Sequence, residues 1–273
     1  MILRFDKFKT MGRTAGVQGA VRFRRPMVTH SANLSRRVVA EAVGTALLLA
    51  AVVGSGIMGK RLAGGNVAIA LLANTLATGA ALVALILAFG PISGAHLNPA
   101  VTLAGAWQGG LAWHEAAGYV AAQFLGAFAG VAAAHGMFGK PLFFASQHVR
   151  GGGAQIFSEF IATFGLLPVI WGCVRLRAQA VPFAVGAYIM AAYWFTASTS
   201  FANPAVTLAR SASDTFAGIR PADVPGFVAA QLAGAAAATW LFRWLIPSLP
   251  RGASAVLVPH SELDSSPAPE AKS

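Results

Sequence analysis

The chain has 273 residues, 56% hydrophobic and only 11% charged, with a formal net charge of +11. Soluble globular domains carry about a quarter of their residues as charges, so this composition excludes one and points to a chain whose core faces lipid. The basic excess does not indicate nucleic acid: nine of the 20 Lys and Arg residues lie in 1–37 against one acid, Asp6, and the other 11 face eight acids.

Residues 1–35 form a basic extension without apolar periodicity and are expected to be disordered. Basic residues abutting a first span are a positive-inside signal, which places the N-terminus, and with six spans the C-terminus, in the cytoplasm of a multi-pass plasma (inner) membrane protein. Residues 1–26 have two other readings: an anchor for anionic lipid, or an upstream extension of a protein beginning at Met27. Six stretches are long enough to cross about 30 Å of hydrocarbon, at roughly 38–58, 66–89, 114–137, 155–174, 181–200 and 224–246. Arg175 and Arg177 between the fourth and fifth agree with that orientation, and Lys60 and Arg61 after the first count against it. The domain so bounded is 36–248, with repeats over 36–138 and 154–248, followed by a Ser- and Pro-rich tail at 249–273 expected to be disordered.

The repeat is explicit. Asn98-Pro99-Ala100-Val101-Thr102-Leu103-Ala104 recurs unchanged as Asn203-Pro204-Ala205-Val206-Thr207-Leu208-Ala209. Gly118, Gln123 and Gly126 downstream of the first copy are echoed by Gly226, Gln231 and Gly234, and Glu41 and Thr45 upstream by Glu159 and Thr163. Three spans in each half bring the second half in from the opposite side. The fold class is therefore an all-α membrane protein of six transmembrane helices and two re-entrant half-helices, an inverted-topology repeat with its site at the midplane.

Each motif opens with Asn, a good N-cap, and Pro at the first helical position. The helices they start, about 98–108 and 203–213, are too short to cross. Irregular backbone at that depth survives only around a cavity, so the approaches to the two motifs are read as pore lining. With its oxygen engaged in capping, each Asn keeps two amide donors for the opening, and two helix N-termini aimed at one spot disfavour cations while passing neutral solutes.

These residues resemble the aquaporin and glycerol facilitator (major intrinsic protein) family, and Ser93-Gly94-Ala95-His96-Leu97-Asn98-Pro99-Ala100-Val101-Thr102 is among the most specific strings of the likeness. The resemblance covers about residues 36–248 and implies a channel. It implies pore-lining backbone at Gly94, Ala95, His96, Thr199 and Phe201, structural support of the loops by Glu41 and Glu159 with Gln123 and Gln231, a homotetramer in the lipid bilayer, and neutral solutes as substrates. Small residues beside the glutamines read as close helix packing.

The family pattern also implies a narrow ring, here Thr78, Ala191, Ser200 and Val206. Most relatives hold an arginine where this chain has Val206, so a wide, uncharged ring is expected, resembling that of arginine-free, metalloid-permeable bacterial members. Water plus larger hydroxylated solutes, arsenous acid or glycerol, are the expected substrates. Arg210, near the end of the second half-helix, is expected to offset the negative helix end, with Asp214 as partner. A strict water channel, a coupled secondary transporter using the Glu pair, and a purely structural membrane protein remain as alternatives. No nucleophile-and-base set or metal-ligand cluster is visible, Cys173 is the single cysteine, and neither cofactor nor catalysis is expected.

Overall fold

The computed structural model describes residues 32–246, so nearly all of the basic extension and the whole of the tail lie outside the described residues. These fold as eight α-helices: α1 (Leu34–Leu62), α2 (Val67–Ser93), α3 (Pro99–Trp107), α4 (Trp113–Met137), α5 (Gly153–Leu176), α6 (Val181–Phe195), α7 (Pro204–Arg210) and α8 (Val224–Leu245). Six are long and apolar enough to cross a membrane. The other two, α3 and α7, have nine and seven residues, and at about 1.5 Å per residue neither passes mid-bilayer.

Local chemistry sets several ends. Asn33 Oδ1 accepts from the Arg36 N–H at 3.1 Å, and Asn66 Oδ1 from Ala68 and Ile69 at 3.0 and 3.2 Å, capping α1 and α2. The fifth span, expected to reach residue 200, ends at Phe195. Beyond it the chain turns into the bundle, because α7 must begin at Asn203 in the middle of the protein and the backbone N–H groups of Phe201 and Ala202 are bound there by Glu159.

The halves repeat one packing scheme. α1 lies along α4 as α5 lies along α8, and α2 meets α6 across the halves. Each half-helix packs against the last span of both halves, and α3 and α7 touch each other. Two matched glycines permit the close pairs: a Cβ at Gly126 would overlap the carbonyl of Ala42 in α1, and one at Gly234 would lie 2.5 Å from the carbonyl oxygen of Phe160 in α5. Leu47, Leu76, Leu125 and Phe157 are exposed on the outside, the arrangement of a bundle solvated by hydrocarbon. Exposed Trp107, Trp113, Trp240 and Trp244 gather at the end where α1 starts and α8 finishes, as an interfacial belt does.

Candidate functional site

The site is built where the two half-helices meet. Asn98 Oδ1 accepts from the Ala100 N–H at 2.9 Å, and Asn203 Oδ1 from Ala205 and Val206 at 3.0 and 3.2 Å. Pro99 and Pro204, with Ala100 and Ala205, are buried behind them. The side-chain amides cross between the halves: Asn98 Nδ2 donates to the Ala202 carbonyl and Asn203 Nδ2 to that of Leu97, each at 2.8 Å. The expectation of two free donors per asparagine is therefore corrected to one. The cause is proximity, since the loops meet head to head and their last carbonyls need donors away from water.

The loops entering α3 and α7 carry matched left-handed backbone. Gly94, Ala95 and Leu97 have φ of 86, 47 and 49°, and Thr199, Ser200 and Ala202, each 105 residues on, have 60, 49 and 48°. Such conformations cost about 1–2 kcal/mol per non-Gly residue, so something must hold them. Glu41 accepts from the N–H groups of His96 and Leu97 at 2.9 and 2.7 Å and from Ser93 Oγ at 2.6 Å. Glu159 accepts from Phe201 and Ala202, both at 2.8 Å. Gln123 Nε2 joins Glu41 to Thr102 Oγ1, both at 2.8 Å, and Gln231 Nε2 joins Glu159 at 2.6 Å to Thr207 Oγ1 at 2.8 Å. All four acid and amide side chains are fully buried, and the carboxylate oxygens of Glu41 and Glu159 are occupied by fixed donors.

A cavity of about 700 Å³ runs beside these loops. Toward the end of the bundle that carries the termini it is bordered by Gly90, Pro91, Gln179 and Phe183; midway by Gly94, Ala95, His96, Asn98 and Asn203; and at the far end by Thr78, Tyr193, Ser200 and Val206. Its walls are apolar, among them Leu48, Val52, Leu82, Leu166 and Ile189. An apolar channel with a few polar atoms on one side carries solutes without binding them tightly. His96 turns Nδ1 to Thr102 Oγ1 at 3.1 Å.

Three expectations are corrected. Ala191 is exposed on the outer face of α6, beside exposed Trp194, and does not border the cavity. It lies two residues from both Ile189 and Tyr193, which do, and two residues turn a helix by about 200°. Tyr193 supplies the aromatic that the ring was expected to lack, with its hydroxyl 3.2 Å from Thr78 Oγ1. Thr199 and Phe201 do not border the cavity either: the Phe201 ring packs edge-on against Phe227 at 5.3 Å, as His96 packs against Tyr119 in the first half. Thr78, Ser200 and Val206 do come together there.

Arg210 ends α7, with its guanidinium over the Phe201 ring at 3.4 Å and Nε donating to the Ala217 carbonyl. Asp214 is not its partner but accepts from the Gln147 N–H at 2.9 Å. Sequence reasoning missed Arg150, in the segment between α4 and α5. Its guanidinium donates to the carbonyls of Gly218 at 2.8 Å and Ser198 at 3.0 Å, bracing the second loop from outside. Burial lowers its pKa to about 10, still charged at neutral pH. Nothing local in the sequence marks it, because its acceptors are main-chain carbonyls far along the chain.

Residues 28–181 match the family described as Major intrinsic protein. The chain is 58% identical over 214 residues to Aquaglyceroporin AqpS of Rhizobium meliloti (strain 1021), covering 78% of this chain and 91% of that protein. It is 32% identical over 246 residues to Probable aquaporin AqpM of Archaeoglobus fulgidus, covering 78% and 97%. Its fold matches the crystal structure of the aquaglyceroporin from Plasmodium falciparum with a TM-score of 0.62 over 79% of this chain and 98% of that one, at 20% identity. With paired half-helices beside a cavity, and with these relatives, the chain belongs to the major intrinsic protein family and is a membrane channel for water and small solutes such as glycerol.

Proposed function

We propose that this channel passes, besides water and glycerol, bulkier uncharged hydroxylated solutes, with metalloid acids such as arsenous acid in their range, through a constriction of Thr78, Tyr193, Ser200 and Val206. The observation that carries the reading is Val206, which faces the cavity one residue after the second Asn-Pro-Ala, where a long cation would narrow it. Thr78, Tyr193 and Ser200 offer hydroxyls on the same ring, so a solute shedding water meets replacements. The asparagine amides and the two helix N-termini at the midplane favour neutral or dipolar cargo over cations. Coupled transport is disfavoured by the Glu41 and Glu159 bonds described above, which leave neither carboxylate open to a moving ion. The relative from Rhizobium meliloti is itself named an aquaglyceroporin.

We place the termini on the cytoplasmic side, on the strength of the basic residues 1–37, in a homotetramer whose contacts are made by the apolar outer faces. The deciding experiment compares water, glycerol and arsenous acid fluxes of wild type and Val206→Arg in one set of liposomes. The arginine should slow the two larger solutes by a greater factor than water; equal slowing of all three, or none, sinks this assignment.

A further inference from the structure

We propose that the channel mouth remote from the termini carries a recognition site for a small planar oxyanion, a carboxylate or its like, formed by the Nη1–Nη2 edge of Arg210 and reinforced by the charge of Arg150. Arg210 stands four residues beyond Val206 on α7, which places it about 6 Å farther out and about 40° around the helix. That spacing sets its Cα on the Val206 side of α7, beyond the end of the cavity, which Arg210 itself does not border. The matching position in α3 is Gly105, so the shared architecture of the two halves does not require an arginine here.

Arg210 is 2% exposed. Its face is taken by the Phe201 ring and its Nε by the Ala217 carbonyl. Nη1 and Nη2, with four N–H donors, make no hydrogen bond to the described residues, yet they reach the small accessible surface that the residue retains. A guanidinium this buried with its outer edge unmet is costly unless a ligand meets that edge.

No acid among the described residues fills the role. Asp223 pairs with Arg220 and accepts the Arg150 backbone N–H, Asp214 accepts from Gln147, and Glu159 holds the loop. Arg150 spends its donors on carbonyls, which do not neutralise it, and its guanidinium carbon lies 5.0 Å from the same Phe201 ring. Two cations with the single carboxylate of Glu159 as nearby counter-charge leave a net positive mouth. A stacked guanidinium presenting two parallel N–H vectors selects a planar group with two oxygens over a spherical ion.

The test uses the full chain with sodium formate as probe and sodium chloride at equal ionic strength as control. In detergent, formate should raise the thermal midpoint more than chloride does; in liposomes, external formate should slow glycerol flux, by about threefold at saturation, where chloride does not. Arg210→Lys, which keeps the charge but loses the planar stacked fork, should need about tenfold more formate for the same effect. Arg210→Gln should abolish it. The thermal readout stands apart from transport, and flux without anion tests the channel reading separately. Equal responses to formate and chloride in wild type, or an undiminished formate response in either variant, overturns the site; should neither variant fold, the wild-type comparison decides.

Discussion

Replacing Glu159 by Gln asks whether a buried carboxylate, rather than the half-helix itself, holds the second loop open. Glu159 receives three hydrogen bonds, from the Phe201 and Ala202 N–H groups at 2.8 Å and from Gln231 at 2.6 Å. In the variant one oxygen becomes a donor facing a donor. One buried N–H then loses its acceptor, at about 1–3 kcal/mol, and the surviving bonds drop from the charged to the neutral range, about 1 kcal/mol less each. Relief from burying a charge returns part of this, leaving a net loss of about 2–4 kcal/mol. The loop holds Thr199, Ser200 and Ala202 in left-handed backbone, with about 1–2 kcal/mol per residue pulling toward relaxation. The loss is thus large enough to favour a relaxed loop, and at 1.4 kcal/mol per decade the open population should fall by about tenfold or more. Stopped-flow water and glycerol fluxes, normalised to folded protein by helix content from circular dichroism, measure it. Flux within about twofold of wild type at equal helix content would refute the reasoning.

Ser200→Cys places a thiol at the far end of the cavity, whereas Cys173 does not border it, so a mercurial should block the variant strongly and the wild type weakly; equal sensitivity would mean that the loop register is wrong. Gly234→Val drives side-chain atoms into the Phe160 carbonyl, 2.5 Å from the first of them, and should cost at least about 1–3 kcal/mol of overpacking, read as a lower thermal midpoint, while Gly136→Ala, where nothing is close, should not. Asp223 accepts from Arg220 and from the Arg150 N–H, both at 2.8 Å, and the Arg220 hydrogen bond holds its pKa below the ordinary value. Its contribution is therefore present above the unfolded value and lost only as pH falls through the lower folded one. Amide exchange across 147–153 should stay protected from pH 7 to 5, once corrected for intrinsic exchange rates, and rise at both pH values in Asp223→Asn; protection that vanishes by pH 5 in wild type would contradict this.

How much of this was legible in one dimension follows from the range of each interaction. The identical motifs, the capping Asn and Pro, the six apolar stretches and the echoed Glu, Gln and Gly positions are local or periodic signals. They suffice to set six spans, two half-helices and the inverted repeat, because a bilayer demands apolar length and satisfied backbone wherever the chain runs. The facing of α6 was not available in that way: it is apolar on every side, so no moment distinguishes Ala191 from Tyr193, and only contact with α2 turns Tyr193 inward to Thr78. Cross-bonding of the asparagine amides, and the arrival of Arg150 on the Phe201 ring that Arg210 also covers, depend on segments about 50 to more than 100 residues apart. Their partners are carbonyls and a ring face, which every sequence supplies in abundance, so tertiary packing alone decides which of them are met.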